Sequence, residues 1–379
     1  MHLHHLALRD FRNYETLRLE LGPGTVVFHG PNGAGKTNLL EAVHLSSTGE
    51  SPRAREAAEL VRVGQSHTFV SSQYAAGTEQ LKLELGLAVT GQRQIKVNGL
   101  VRRRTDLIGL APVVHFSADD IVTLRGEPSG RRRLLDTELS NLSHSYYSHL
   151  LRYRRTLEQR NRLLKDLRAG KGRTDDLAPW DRAAARYGAR VMGERADFIA
   201  ELNVASAHAQ ARLTGEAQEF AVEYRPSLGQ SCVQEPGQSE KTANEDVEPL
   251  AQALEEALRE HRGADLGAGL TTIGPHRDDF EVLLNARPVR SYGSQGQQRA
   301  AALSVRLGLA EVAQRLTGER PVLLLDDVLS ELDERYRAGV FAACAAADQA
   351  IITCCDPADV PAEARARSAV FEVCDGRIV

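Results

Sequence analysis

An eight-residue segment near the start of the chain sets the strongest limit on what this sequence can fold into. It reads Gly-Pro-Asn-Gly-Ala-Gly-Lys-Thr over residues 30–37, follows the apolar run 25–28 and precedes the helical pattern 38–43. A strand, a glycine-rich turn and a helix start leave successive backbone N–H groups free to point at an anion. The segment matches G-x-x-x-x-G-K-[ST] at every position. It therefore predicts a nucleotide-binding P-loop.

Each residue type in this loop has a role in holding a triphosphate. The amine of Lys36 is expected to reach the β- and γ-phosphates, and the hydroxyl of Thr37 is expected to ligate Mg²⁺. The glycines let the backbone approach the phosphates closely. The predicted ATP-binding residues of the loop are Gly30, Pro31, Asn32, Gly33, Ala34, Gly35, Lys36, Thr37 and Asn38.

A second part of the same site is predicted nearly three hundred positions downstream. Residues 321–327 read Pro-Val-Leu-Leu-Leu-Asp-Asp, a buried strand that ends in two carboxylates. Such a strand end delivers an acid to the metal beside a P-loop. We expect Asp326 to direct Mg²⁺ and Asp327 to act as general base toward the attacking water. The long separation from the P-loop predicts a large insertion between the two parts.

Two motifs flank the acidic strand and complete a recognisable order. Residues 291–299 read Ser-Tyr-Gly-Ser-Gln-Gly-Gln-Gln-Arg and open a helical run, and residues 329–333 read Leu-Ser-Glu-Leu-Asp. With the P-loop, this order resembles the heads of the ABC-type ATPases, which include the chromosome-maintenance and Rad50 proteins. In that superfamily the signature serine of one subunit contacts the γ-phosphate held by the P-loop of another.

That resemblance implies roles for the signature residues. Ser294, Gly296 and Gln297 would bind ATP in trans, and the catalytic set would be Lys36, Asp327 and Ser294. The signature departs from the transporter type at two positions: Gly293 stands where transporters have Leu, and Gln295 replaces their first Gly.

Within the superfamily the chain resembles the RecF family of bacterial recombination proteins over nearly its whole length. The segments that carry the likeness are 6–14, 126–136 and 274–279. The resemblance implies an ATPase of recombinational DNA repair and gap repair, linked to DNA replication and the SOS response. It would dimerise with ATP and Mg²⁺ on double-stranded DNA or at junctions with single-stranded DNA. The implied partners are DNA, RecR, RecO and RecA, whose loading onto DNA it would help.

The expected architecture is α/β, with an ABC-type ATPase head built from two separated segments. Residues 1–125 and 266–379 would form the head, and residues 126–265 would form an inserted helical arm. Leucines recur at spacings of three, four and seven between residues 131 and 167, and a second helical run covers 181–213. The polar stretch 226–247 predicts a mobile loop.

DNA binding has to be reconciled with a net charge of −4. Because this charge gives no general attraction to phosphate, only local basic patches can hold DNA. The DNA-binding residues are predicted at Arg131, Arg132 and Arg133, with further patches at 102–104 and at Arg152, Arg154 and Arg155. The alternative for each patch is a solvated helix face that forms pairs with neighbouring acids.

Composition places the chain among globular proteins of a reducing compartment. No apolar run approaches the roughly 20 residues that a membrane helix needs, and the first residues lack a secretory pattern. The sequence therefore predicts a cytoplasmic protein. Five cysteines without C-x-x-C spacing predict free thiols rather than disulfides or a metal site; they are Cys232, Cys344, Cys354, Cys355 and Cys374.

Several interpretations stay open from the sequence alone. The rival functions are an ABC transporter subunit that drives a membrane partner, and a clamp that uses ATP only to hold a dimer. The length between Lys36 and Ser294 argues against the transporter. Asp119 and Asp120 follow a predicted strand and either cap a helix or sense the γ-phosphate, with capping favoured. His276 is predicted in an ordinary loop before a strand, with contact to nucleotide or partner as the alternative.

Overall fold

The computed structural model describes residues 1–215, 218–230, 247–329 and 334–379. The chain folds into two compact units. The first unit, which we call the head, contains residues 1–122, 205–218 and 293–379. The second, which we call the arm, contains residues 123–204 and 219–292.

The strands near both ends of the chain belong to the head, and three strands in the middle belong to the arm. Their bounds are β1 His2–Phe11, β2 Tyr14–Glu20, β3 Gly24–His29, β4 His67–Ala76, β5 Glu79–Ala88, β6 Arg93–Val97, β7 Leu100–Arg102, β8 Val113–Phe116, β9 Phe220–Arg225, β10 Asp279–Leu284, β11 Arg287–Pro288, β12 Val322–Asp326, β13 Gln349–Cys354, β14 Ala369–Cys374 and β15 Arg377–Ile378.

The helices include two long ones in the middle of the chain. Their bounds are α1 Lys36–Thr48, α2 Ala118–Arg125, α3 Pro128–Leu142, α4 His144–Arg168, α5 Ala178–Thr214, α6 Val247–Glu260, α7 Arg262–Ala268, α8 Val289–Tyr292, α9 Gln295–Thr317, α10 Glu334–Ala346 and α11 Ala362–Ala366. In the described part of the chain, no helix has the length and apolar character needed to cross a membrane.

One sheet of the head is antiparallel, with the strand order β2-β1-β4-β5-β6-β7. The predicted hairpin at Asn98 and Gly99 joins β6 to β7, and both residues have positive φ, 51° and 81°. Such angles are those of the tight hairpin turns that Asn-Gly favours. Polar and apolar residues alternate along β5, which is the pattern of a strand with one buried face.

The second sheet of the head brings the two distant segments of the chain together. Its order is β15-β14-β3-β13-β12-β8, and every pairing except that of β15 is parallel. Asp326 lies opposite Thr353, and Cys354 lies opposite His29. Because parallel strands end at one edge of a sheet, the P-loop after β3 and the acidic end of β12 share that edge.

Helix α1 lies in the core between these two sheets. Eleven of its thirteen residues are buried, and it packs on β4 and β5 of one sheet and on β12 and β13 of the other. This position explains why the helix has no charged face: neither side of it meets water. The buried core that contains Leu39, Leu40 and Val43 also takes in side chains of both sheets.

The arm contains the helical runs that the sequence predicts. Helices α4 and α5 are antiparallel neighbours, because a residue near the start of α4 contacts the middle of α5 and a later residue of α4 contacts the start of α5. Tyr146 accepts a hydrogen bond from Arg195 (3.0 Å), and Arg160 pairs with Asp181 (2.8 Å). Both pairs are buried. They fix the two helices by charged contacts as well as by apolar packing.

The units differ from the predicted domain bounds at two places. Strand β10, placed by sequence in the C-terminal half of the head, pairs over six residues with β9 and so belongs to the arm. The last turns of α5 belong to the head instead, where Ser304 Oγ donates to Gln210 Oε1 (2.7 Å). Both differences come from pairings between distant residues, which local sequence patterns do not reveal.

Candidate functional site

The loop between β3 and α1 has the backbone that the glycine pattern predicts. Gly30 and Gly35 have φ of 144° and 118°, in a region that residues with a Cβ rarely adopt. A Cβ on Gly30 would lie 2.3 Å from the Val373 carbonyl oxygen, and one on Gly35 would lie 2.6 Å from Asn13 Nδ2. Conformation and space therefore both require glycine at these two positions.

Lys36 is the first residue of α1, and its side chain lies over the loop. It is buried, and its Nζ donates to the carbonyl oxygens of Gly30 (2.6 Å) and Pro31 (3.0 Å). The N-terminus of α1 adds the positive end of a helix dipole at the same point. A cation, a helix terminus and a glycine-rich backbone thus converge where an anionic ligand would be held.

Thr37 and Asp326 join the two distant parts of the predicted site. Thr37 Oγ1 donates a hydrogen bond of 2.9 Å to Asp326 Oδ1. The same carboxylate oxygen accepts from Thr353 Oγ1 at 2.7 Å. The structure therefore places the end of β12 against the first turn of α1, although their action on a nucleotide stays a prediction.

Asp327 has a backbone conformation that is uncommon for a residue with a side chain. Its φ is 50°, and its N–H donates to Thr353 Oγ1 (2.9 Å). Non-glycine residues held in the left-handed region cost free energy and are concentrated at functional sites. The residue lines a shallow pocket of the head, whose lining is Phe116, Ala118, Ile121, Arg299, Leu303, Asp327 and Val328.

The predicted signature residues lie at the start of α9. Ser294 is its N-cap: its hydroxyl accepts from Gln297 N (3.3 Å), and Gln297 Oε1 accepts from Ser294 N (2.8 Å). This reciprocal pair is a capping box. Ser294 and Gly296 are exposed. Since a serine hydroxyl both donates and accepts, Ser294 keeps its O–H available to another molecule while it caps its own helix.

Two side chains that were not predicted as site residues, those of Asn13 and Tyr14, donate hydrogen bonds to the backbone of the P-loop. Asn13 Nδ2 donates to the Ala34 carbonyl oxygen (2.9 Å), and Tyr14 Oη donates to that of Gly35 (3.0 Å). Asn38 Nδ2 in turn donates to Asn13 Oδ1 (2.9 Å). These contacts give the carbonyl oxygens of Ala34 and Gly35 hydrogen-bond donors from outside the loop. No local sequence pattern predicts these hydrogen bonds, because they join the turn after β1 to a loop 21 residues away.

The remaining candidates beside the site have structural contacts. Asp120 Oδ2 accepts from the N–H of Ser117 (2.9 Å) at the start of α2, and the same carboxylate pairs with Arg306. Asp119 is exposed. These contacts agree with the favoured capping interpretation of Asp120.

His276 lies in the arm and contacts arm residues. Its ring nitrogens contact Tyr153 Oη (2.7 Å) and the Thr271 carbonyl oxygen (2.9 Å). Burial lowers the pKa of His276 to about 4. The segment 274–279 was expected in the C-terminal half of the head, and its position in the arm corrects that expectation. These contacts agree with the ordinary-loop interpretation of His276.

The structure corrects the predicted DNA-binding patch at Arg131. Its side chain is buried, with Nε 2.8 Å and Nη2 2.6 Å from the two carboxylate oxygens of Asp279. Arg132 is half-buried and donates to the Asp278 carbonyl oxygen (2.7 Å), whereas Arg133 is exposed. A bidentate buried pair holds Arg131 inside the arm, so it is not available to a phosphate.

The cysteines of the described residues are free thiols, as predicted. Burial raises the pKa of Cys344 and of Cys354 to about 12. Cys355 Sγ donates to Asn32 Oδ1 of the P-loop (3.0 Å), and Cys374 is exposed. Cys232, most of the predicted polar loop and the motif residues 330–333 lie outside the described residues.

This geometry defines a class of protein. A P-loop and an acidic strand end meet on one parallel sheet, and a capped signature helix lies in the same unit. This is the head of an ABC-type ATPase. Two solved SMC heads, including one from Pyrococcus furiosus, share the fold at TM-scores of 0.55 and 0.52 with 14% and 13% identity, and each match covers 100% of this chain and 97% or 96% of the other.

Comparisons with known proteins show which family within the ABC-type ATPases this chain resembles. The model of the RecF/RecN/SMC N terminal domain matches residues 2–377. The DNA replication and repair protein RecF of Symbiobacterium thermophilum is 36% identical over 100% of this chain and 98% of its own length. That of Chloroflexus aurantiacus is 37% identical, covering 100% and 99%.

The solved structures agree with these relatives. A structure of the recombination mediator protein RecF-ATPrS in the RecFOR pathway has a TM-score of 0.87 and 32% identity, covering 100% of this chain and 97% of the other. The RecF-ATP structure gives 0.85 and 32%, covering 100% and 96%. The chain belongs to the RecF family.

Proposed function

We propose that this protein is an ATP-dependent DNA-binding ATPase of recombinational DNA repair. ATP joins two copies on double-stranded DNA or at a junction with single-stranded DNA, and slow hydrolysis releases them. The observation that carries the proposal is the 2.9 Å contact between Thr37 and Asp326, which unites the P-loop and the acidic strand in one site. The relatives named for DNA replication and repair support the cellular role.

The residues at this contact suit Mg²⁺. A threonine hydroxyl and a carboxylate are hard oxygen ligands, and Mg²⁺ in phosphate sites takes only one or two protein ligands beside the substrate oxygens. Thr37 and Asp326 would hold the ion, which when bound neutralises charge on the phosphates. Thr353 orients the carboxylate through its 2.7 Å hydrogen bond. Among the described residues, no cluster of three or more acidic, histidine or cysteine side chains offers another metal site.

The chain's own residues supply the other phosphate-binding and catalytic groups of an ATPase site. Lys36 binds the β- and γ-phosphates, and the loop N–H groups bind the oxygens around them. Asp327, beside Asp326 at the strand end, accepts the proton of the attacking water. Ser294 of a second copy donates its hydroxyl to the γ-phosphate and completes the set, with Gly296 and Gln297 beside it. ATP is then bound most tightly when two copies enclose it.

The proposed partners follow from the family. The similar RecF structure is that of a recombination mediator in the RecFOR pathway, so we assign RecR, RecO and DNA as partners and RecA as the recombinase that is loaded. This role places the protein in the cytoplasm with the DNA. The transporter alternative is not favoured, because the two relatives described above, which match over the full chain, are RecF proteins.

Ser294→Ala tests the arrangement in trans. We expect ATP binding by the monomer to be nearly unchanged and ATP-dependent dimerisation, measured by light scattering, to weaken. The substitution also removes a helix cap, which costs about 0.5–2 kcal/mol of stability. Ser143→Ala is the matched control, since Ser143 caps α4 by accepting from Tyr146 N (3.1 Å). Loss of ATP binding by the monomer would show that the signature acts within its own subunit.

A further inference from the structure

Two sets of arginines in the arm have contrasting surroundings. Arg131, Arg160 and Arg195 are buried, and each meets one or two carboxylates at 2.6–3.3 Å. A second group is exposed, and among the described residues none of its members has a carboxylate within ion-pairing distance. We call this second group the arm ridge; it consists of Arg152, Arg155 and Arg162 on α4 and Arg186 on α5.

The ridge arginines of α4 share one side of the helix. At 3.6 residues per turn, Arg152, Arg155 and Arg162 project within about 80° of one another and extend over about 15 Å. The opposite side of α4 is the buried one, which includes Tyr153 and Arg160. The ridge therefore follows the solvent side of α4, where the exposed Glu158 lies between Arg155 and Arg162.

Helix α5 contacts this strip at Arg152. The guanidinium carbon of Arg152 lies 5.8 Å from the ring centroid of Tyr187, and Arg186 is the residue before that tyrosine. A guanidinium stacked on an aromatic ring keeps its N–H edges free for hydrogen bonds with a planar or tetrahedral anion. The stacking thus orders Arg152 without neutralising it.

The charge on α4 is large for a protein that is acidic as a whole. The helix carries seven basic and two acidic side chains, whereas the chain has a net charge of −4. Like charges three or four residues apart destabilise a helix by a few tenths of a kcal/mol each. Arg152 and Arg155 are three residues apart, so their mutual repulsion is a small cost in the free arm that a polyanionic partner would remove.

The geometry points to double-stranded DNA as that partner, and we propose that the arm ridge contacts its phosphate backbone. The inference rests on the proposed DNA-binding function and assigns a surface to it. Duplex DNA presents one negative charge per about 1.7 Å of its axis, so a strip of about 15 Å meets several phosphates at once. Contacts of this kind hold DNA without reading its sequence.

The test replaces Arg152, Arg155 and Arg162 together by alanine. Binding to a fluorescent duplex with ATP and Mg²⁺ is measured by anisotropy over a range of salt concentrations. Because each neutralised phosphate adds about 0.9 to the slope of log K against log salt, we expect the slope to fall by about 3 and the binding to weaken most at low salt. The triple lysine variant keeps the charges and should keep most of the slope.

A matched control removes the same number of charges from other parts of the arm. Arg173, Arg225 and Arg259 are exposed but paired with Asp175, Glu223 and Glu255. Their triple alanine variant should keep the wild-type slope. If the ridge and control variants lose equal affinity, total charge governs binding and the ridge has no special role.

The remaining outcomes distinguish failure of the ridge proposal from failure of the proposed function. Wild-type protein that binds no duplex under any of these conditions would overturn both. Wild-type protein that binds, with a ridge variant that binds equally well, would overturn the ridge alone. Stronger competition by polyglutamate than by unlabelled duplex would assign the ridge to an acidic protein and contradict the DNA assignment.

Discussion

Lys36→Met is expected to weaken ATP binding by about 10- to 100-fold. The amine is the cation of the P-loop, and hydrogen bonds to a charged group contribute about 1.5–3 kcal/mol. In the structure Nζ lies 2.6 Å and 3.0 Å from two loop carbonyl oxygens, so it is already positioned beside the phosphate site. Methionine keeps an unbranched side chain of similar size and removes the charge. Titration calorimetry with ATP and Mg²⁺ measures the change.

The control for this substitution is Lys171→Met, at an exposed lysine of the arm. It should leave ATP affinity unchanged. Because Lys36 is buried, thermal unfolding of both variants has to be recorded as well. A folded Lys36→Met protein with wild-type ATP affinity would contradict the assignment of the P-loop.

Arg160→Met is expected to lower the free energy of unfolding of the arm by about 3–5 kcal/mol. Arg160 is fully buried between Asp181 and Asp265, at 2.8 Å and 2.7 Å. Removing one partner of a buried ion pair leaves an uncompensated charge in a medium of low dielectric constant, and that loss is of this size. Asp181 keeps a second partner, Arg262, at 2.6 Å. Asp265 is therefore the carboxylate whose charge the substitution leaves without a cationic partner.

Thermal unfolding followed by circular dichroism measures this effect. Arg162→Met is the control, since Arg162 lies on the same helix but on its exposed side; its effect should stay within about 0.5 kcal/mol. Equal midpoints for the two variants would show that the buried network does not stabilise the arm.

The sequence predicts the central elements of the head because their signals are local. The P-loop pattern, the apolar strand before it and the acidic end of β12 each lie within a few adjacent residues, and together they limit the possible folds. The helices of the arm likewise follow from leucine spacing within 131–167. In each case the information and the structure it specifies lie in the same stretch of chain.

Other features depend on contacts between distant residues. Arg131 reads as part of an exposed basic patch, but its partner Asp279 is 148 positions away. Asn13 reads as an ordinary turn residue until the loop it contacts is in place. The pairing of β10 with β9 moves a segment from the head to the arm for the same reason. Composition and spacing give no signal for such pairings.

The most direct test of a shared ATP site mixes two variants that each fail alone. If ATP lies between two copies, a heterodimer of Lys36→Met and Ser294→Ala contains one intact site, formed by Lys36 of the second protein and Ser294 of the first. Light scattering with ATP and Mg²⁺ should then show more dimer in the mixture than in either variant alone. A mixture that stays as monomeric as its components would contradict an ATP site enclosed by two copies.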